Sequence, residues 1–187
     1  MRILLSVLFW VWTFLSPATL IQQPEAPGQI LIQSRHTLTD TAGHHWQAVL
    51  FRRWGSRGPE PLRLRLVGLG GTPEILHPRH LLISTVRGET WLAPDISEQL
   101  GEHPPRVGQY LLEEVVAVLD PVVPTQLSLS SIQGEQVVLR LFPGVIQEWQ
   151  AVGSSSRLGT NQPLFLNPPL PLWEGDRFPS QQFLHFP

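Results

Sequence analysis

Arginine side chains are the clearest chemical signal in this sequence. All 13 basic residues are Arg, and none is Lys. Residues 35–87 contain eight Arg and three acidic residues, a net charge of +5, whereas residues 88–150 contain two Arg and nine acidic residues, a net charge of -7. Such a separation of charge predicts either a basic surface that docks an anionic partner or ionic pairing between the two segments.

Four of these arginines lie close together on and around one predicted strand–loop–strand. They are Arg52, Arg53, Arg63 and Arg65. Because side chains alternate between the two faces of a strand, Arg63 and Arg65 should share a face. We expect these guanidinium groups to bind a protein or an anionic membrane surface. The alternative is internal pairing with the acidic segment, centred on Glu98, Glu102, Glu113 and Glu114.

The sequence provides little for nucleophilic or acid–base catalysis. It has no Cys, which excludes thiol nucleophiles, disulfides and thiolate metal sites. No Gly-x-Ser-x-Gly turn is present to expose a serine nucleophile. The adjacent carboxylates Glu113 and Glu114 would lie about 100° apart on a helix, which is typical of a solvated face. We therefore predict no catalytic residue.

Histidines are the candidate metal ligands, and seven are present. His44 and His45 are neighbours, so in a strand they would point to opposite faces. His77 and His80 have helical spacing, but Pro78 between them disfavours a helix. There is no His-Glu-x-x-His pattern. The sequence predicts no metal site and no cofactor.

The elements that must position these residues are mostly strands. A content of 19 Pro and 15 Gly favours short elements joined by turns. Residues 62–69 alternate leucine with arginine, the pattern of a half-buried antiparallel strand. Asp40 and Gly43 predict a turn that joins strands 30–38 and 45–53. In the second of these strands, Trp46, Ala48 and Leu50 share one face, and Arg52 is the next position on that face.

Further strands are predicted at residues 80–87, 90–92, 127–131 and 135–142, the last two joined at Gln133-Gly134. Short helices are predicted at residues 95–100, 111–119 and 144–151. The fold class that follows is mainly β, an antiparallel sheet or sandwich with two or three short helices.

Composition divides the chain into four segments. Residues 1–18 combine a positive start, an apolar run and the small residues Ser16 and Ala18, the pattern of a secretory signal peptide. Cleavage there would leave Thr19 as the mature N-terminus; the alternative is an uncleaved membrane anchor. Residues 19–29 are predicted to be a linker, residues 30–152 a single β-rich domain, and residues 153–187 a poorly ordered tail rich in Pro and aromatic residues.

Five spaced segments also carry a resemblance to a known family. They are Ser34-Arg35-His36 with Trp46-Gln47, Leu64-Arg65-Leu66-Val67-Gly68, Ala93-Pro94-Asp95, Val107-Gly108-Gln109-Tyr110 and Val145-Ile146-Gln147-Glu148-Trp149. Over residues 31–152 the chain resembles a cyanobacterial family of small exported proteins of unknown function. The resemblance implies a periplasmic or thylakoid-lumen location, and it brings no activity and no catalytic residues.

These observations favour an exported, non-catalytic interaction or accessory protein, with a membrane complex as one candidate partner. Nucleic acid is not expected as a partner, because the protein is expected to be exported and the full sequence has a net charge of -2. The alternative function is a small-ligand binder or an enzyme that uses a cleft of the sheet. A convergent cluster of buried polar residues would favour the alternative, and an exposed arginine face would favour docking.

Overall fold

Two antiparallel sheets and two helices make up the described part of the chain. The structure is a computed structural model, and it describes residues 20–26, 29–102 and 104–155. The strands are β1 (Leu20–Ala26), β2 (Gln29–Thr39), β3 (His45–Gly55), β4 (Gly58–Pro59), β5 (Arg63–Gly68), β6 (Leu81–Thr85), β7 (Thr90–Ala93), β8 (Val107–Leu111), β9 (Thr125–Ser130) and β10 (Gln136–Leu141). The helices are α1 (Glu113–Val118), α2 (Pro143–Ser154) and a 3₁₀ helix, Ser97–Leu100.

The first sheet has the strand order β1-β2-β3-β5-β8, and β4 pairs with the end of β3. Its centre is the β2–β3 hairpin, whose turn contains Gly43 at φ +89°, a backbone conformation that favours glycine. The Asp40 carboxylate fixes this turn by accepting the backbone N–H groups of Ala42 and His44 and the indole N–H of Trp46 at 3.0 Å. Burial by itself would raise the pKa of Asp40, but these hydrogen bonds outweigh it and lower the pKa.

The second sheet has the strand order β10-β9-β6-β7. Its inward residues join those of the first sheet in one buried cluster, which includes Leu50 and Leu64 of the first sheet and Ile83, Leu127 and Leu139 of the second. The alternation of leucine and arginine in β5 is therefore the pattern of one face in the core and one outside, as the sequence predicts. The fold class is confirmed: the protein is mainly β, with two antiparallel sheets and two helices that are consistent with a sandwich.

Helix α2 covers the inner face of the first sheet where the second sheet does not. It contacts β2, β3 and α1. Val145, Ile146, Trp149 and Val152 are buried, at the spacing of one helical face. Within the described residues, no helix combines the length and the apolar character needed to cross a membrane.

Several boundaries differ from the sequence predictions. The segment predicted as a linker contains β1, which pairs with β2. Strand β8 was not predicted, and α1 begins at Glu113 because Leu111 ends that strand. Only the 3₁₀ helix forms where a helix was predicted at residues 95–100. The predicted signal peptide and the predicted tail after residue 155 lie outside the described residues.

Candidate functional site

The four candidate arginines lie on opposite faces of the first sheet. Arg53, Arg63 and Arg65 project from the face directed away from the core. Arg52 does not share that face, because its position in β3 continues the inward series of Ala48 and Leu50. The structure therefore brings three of the four together and separates the fourth from them.

Phe51 occupies the centre of the outer face. The guanidinium carbons of Arg53 and Arg65 lie 5.3 and 5.4 Å from the centroid of its ring. Both distances are within the range of a cation–π interaction. Arg65 also donates from Nε and Nη2 to the side-chain oxygen of Gln109, at 3.1 and 2.7 Å. The two guanidinium groups are thus held in fixed orientations above a buried aromatic ring.

This outer face is concave and basic. Residues of β1, β2, β3 and β5 enclose a depression of about 320 Å³, whose floor includes the small buried cluster of Leu31, Val49 and Phe51. Strands β2, β3, β5 and β8 contain no acidic residue, and their outward positions carry Arg35, Arg53, Arg63 and Arg65, whereas β1 contains Glu25. Glu60, at the edge of the sheet, lies 3.4 Å from Arg63. We call this surface the basic outer face.

Internal pairing is found for Arg52. Its Nη2 donates to Oε1 of Glu113 at 2.6 Å, and Oε2 of Glu113 accepts the backbone N–H of Leu62 at 2.7 Å. Glu113 is one of the acidic residues on which the internal-pairing alternative was centred. Arg52 is thus paired with a residue of the acidic segment, whereas Arg53, Arg63 and Arg65 lie on the outer face of the sheet.

A polar cluster also lies between the first sheet and α2. Ser34 and His36 come from the inner face of β2, and Glu148 from α2. One carboxylate oxygen of Glu148 lies 2.9 Å from both Ser34 Oγ and His36 Nε2, and these two atoms are 3.0 Å apart. A hydrolytic triad needs the acid on the other imidazole nitrogen. Since Ser34 is fully buried, this cluster joins β2 to α2 rather than presenting a nucleophile.

A second polar cluster holds the edge strand β8. The Asp95 carboxylate accepts the Ser97 hydroxyl, the Ser97 and Arg79 backbone N–H groups, and lies 2.7 Å from His77 Nδ1. Burial alone would raise the pKa of Asp95, but the hydrogen bonds to its carboxylate outweigh burial and lower the pKa. The largest of these hydrogen-bond effects comes from the Ser97 hydroxyl. Ser97 Oγ in turn accepts the backbone N–H of Gln109 at 2.9 Å. Asp95 therefore supports the strand whose Gln109 orients Arg65.

No metal-binding cluster is found in the part of the chain that the structure describes. There, no group of three or more His, Asp or Glu side chains is placed to hold an ion. His44 and His77 each approach a single carboxylate, Asp40 and Asp95 respectively. These pairs are intramolecular contacts that fix loops.

Sequence reasoning did not identify Phe51, Gln33 and Gln109 as parts of the site. Phe51 and Gln33 lie directly opposite each other in the β2–β3 register, and Phe51 also lies opposite Arg63 of β5. Alternation along β3 already placed Phe51 on the face opposite Trp46, which was the available signal. Gln109 could not be found in this way because strand β8 was not predicted.

Comparison with known proteins identifies a family and nothing finer. A family model described as a protein of unknown function, DUF3122, matches residues 18–152, which is more than half of the 187-residue chain. No curated protein and no solved structure matches the chain.

Proposed function

The chain belongs to the DUF3122 family, and we propose that it is an exported, non-catalytic docking protein. Its basic outer face binds an acidic segment of a partner protein. The observation that carries this proposal is the clustering of Arg35, Arg53 and Arg65 around a concave floor that contains the Phe51 ring. A membrane complex is the kind of assembly in which such an accessory protein would act.

The shape of the face favours a protein segment over a lipid surface. Phe51 and Gln109 are 5 % and 2 % exposed, and Arg53 and Arg65 are only partly exposed. A flat bilayer would contact the rim of the depression, where Arg35 is exposed, and would not reach its floor. An extended acidic segment can enter the depression, where its carboxylates meet the guanidinium groups in bidentate geometry.

Glutamine side chains add a second reason for a peptide partner. Gln33 and Gln47 face the depression beside the arginines. A primary amide can both donate to and accept from a peptide group, so these side chains suit recognition of a backbone. Together with Phe51 they provide polar and apolar contacts beside the charged ones, which is the composition of a docking site rather than of a purely electrostatic surface.

The test measures binding of a short peptide of alternating Glu and Ser by titration calorimetry. A peptide with Gln in place of Glu serves as the neutral probe, and vesicles with and without anionic lipid serve as the membrane probe. Replacing Arg53 and Arg65 together by Gln should weaken binding of the acidic peptide about tenfold or more. The matched control replaces Arg87 and Arg140 by Gln, which changes the net charge equally on other surfaces and should leave affinity unchanged.

Affinity for the acidic peptide should also fall as salt rises, because the screening length shortens from about 8 Å at physiological ionic strength to about 3 Å at 1 M. An equal loss in both double variants would mean that binding follows net charge and not this face. Binding to anionic vesicles without binding to the peptide would assign the face to a membrane surface instead.

Export is proposed from the first 18 residues, and the resemblance of the motifs to cyanobacterial exported proteins supports a periplasm or thylakoid lumen as the compartment. Mass measurement of the protein from its native host tests this. A mature chain that starts at Thr19 is the expected result, and a chain that retains Met1 would instead indicate an N-terminal anchor.

A further inference from the structure

A second cleft lies on the other side of the first sheet, against the two helices. It has a volume of about 350 Å³ and is lined by residues of α1 and α2 together with Leu62 and the inward side chain of Arg52. It shares no lining residue with the basic outer face. An inference drawn from it is therefore independent of the docking proposal.

The polar end of the cleft is a buried guanidinium group with an unpaired donor, Nε. The Arg52 side chain is only 10 % exposed, and its Nη2 donates to Oε1 of Glu113 at 2.6 Å. Its Nε is buried and has no hydrogen-bond partner. An unsatisfied buried donor is costly, and more so when it belongs to a charged group. An acceptor bound at the guanidinium group would therefore offset part of the cost of burying this charge.

Glu113 accepts a hydrogen bond from only part of the Arg52 guanidinium group. Its second oxygen accepts the backbone N–H of Leu62 at 2.7 Å, and its side chain is half exposed at 51 %. The carboxylate is thus shared between a guanidinium and a backbone donor at the mouth of the cleft. A second anion can bind the remaining donors of Arg52, although it has to do so beside the negative charge of Glu113.

The rest of the lining is partly apolar, and Gln150 and Ser154 of α2 are its polar members. Leu62, Val116 and Ala117 form its apolar part, and Gly153 closes the cleft from α2. A Cβ atom placed on Gly153 would lie 3.4 Å from Leu62 Cδ2 and 3.6 Å from Val116 Cγ1. These are ordinary contact distances, so there is room for one methyl group at Gly153, and a larger side chain would take up part of the cleft.

We propose that this cleft binds a small organic monocarboxylate with an apolar body. The carboxylate accepts from the guanidinium group of Arg52, and the apolar body packs beside Leu62 and Val116. The volume is at the lower end of the roughly 300–1,000 Å³ range of small-molecule sites, which fits a short- or medium-chain acid. Inorganic phosphate would accept from the guanidinium group but would make no use of the apolar part of the lining.

The experiment uses octanoate as the probe, with octanol and acetate as probes for the two halves of the site. Titration calorimetry on the full chain should show octanoate binding. Octanol should bind at least about tenfold more weakly because it lacks the charge-assisted hydrogen bonds. Acetate should also bind at least about tenfold more weakly because it lacks the apolar contacts. Equal affinity for octanoate and octanol would refute the role of Arg52.

Two substitutions in α2 form a matched pair for the apolar part of the lining. Gly153→Leu should abolish octanoate binding because the leucine side chain would take up part of the cleft beside Leu62 and Val116. Gly144→Leu is the control, because a Cβ at that exposed position meets nothing within 4 Å. Full octanoate affinity in a folded Gly153→Leu variant, or equal loss in both variants, would overturn the proposal.

Glu113→Gln provides a readout that a merely structural role would not produce. The amide oxygen can still accept the N–H of Leu62, but the negative charge beside the ligand is gone. Octanoate should therefore bind several-fold more tightly, while octanol affinity stays the same. An unchanged or weakened octanoate affinity in the folded variant would contradict the proposed position of the carboxylate at Arg52.

Discussion

Replacing Ser97 by alanine should destabilise the fold and, through it, the support of the basic outer face. Ser97 Oγ donates to the Asp95 carboxylate and accepts the buried backbone N–H of Gln109. The substitution removes a hydrogen bond to a charged group, worth about 1.5–3 kcal/mol, and leaves a buried donor unpaired, at a cost of about 1–3 kcal/mol. Since the two effects overlap, the expected loss in the free energy of unfolding is about 2–4 kcal/mol.

The pH dependence of this loss separates the two contributions. The folded-state pKa of Asp95 lies below its ordinary value, so Asp95 contributes stability that is present above the unfolded-state pKa of about 3.9 and disappears as the pH falls through the folded-state pKa. Removing the strongest of the pKa-lowering hydrogen bonds raises the folded-state pKa. The difference between wild type and Ser97→Ala should therefore be largest above about pH 5 and narrow towards pH 2.

The assay is urea denaturation at several pH values, with Ser130→Ala as the control. Ser130 is exposed on β9, and its replacement should change stability by no more than about 0.5 kcal/mol. The difference for Ser97→Ala should not vanish at low pH, because the N–H of Gln109 remains unpaired there. A difference that is constant with pH, or one no larger than that of Ser130→Ala, would refute the assigned role of Asp95 and Ser97.

Two further predictions concern the first sheet. Leu64→Ala should cost about 2–5 kcal/mol because Leu64 is fully buried, whereas Arg63→Ala should cost no more than about 1 kcal/mol; equal shifts in the denaturation midpoint would contradict the facing of β5. Gly108→Ala should destabilise by about 1–3 kcal/mol because its Cβ would lie 2.6 Å from Tyr110 Oη, whereas Gly55→Ala meets no neighbour within 4 Å. Much of the Gly108→Ala loss should disappear in a Tyr110→Leu background, and strictly additive losses would show that the ring is not the obstacle.

Local periodicity was sufficient for the strands that have one face in the core. The leucine–arginine alternation predicts β5, and the turn residues Asp40 and Gly43 predict the β2–β3 hairpin, because each of these signals lies within a few residues of chain. Strand β8 lacks such a signal. Its inward positions are Gly108 and Tyr110, and the tyrosine ring lies over the glycine, so the usual row of aliphatic side chains is replaced by one aromatic ring.

The candidate site was predictable in composition but not in its division between two faces. Strand alternation placed Arg63 and Arg65 together and continued the inward series of β3 to Arg52. An arginine side chain at such an inward position stays buried only if an acidic partner is available; otherwise it bends towards solvent. Here the partner is Glu113, which is 61 residues away in sequence and lies on helix α1. Local sequence patterns do not specify where this helix packs against the sheet.

The separation of charge along the chain therefore has two physical consequences in this fold. Where a basic strand position faces inward, desolvation makes an acidic partner necessary, and Glu113 from the acidic segment supplies it at Arg52. Where basic positions face outward, they gather on strands with no acidic residue, and Phe51 and Gln109 hold two of them in fixed orientations. Because these contacts orient the guanidinium groups before any partner arrives, less side-chain entropy is lost on binding, which favours the outer face as the docking surface.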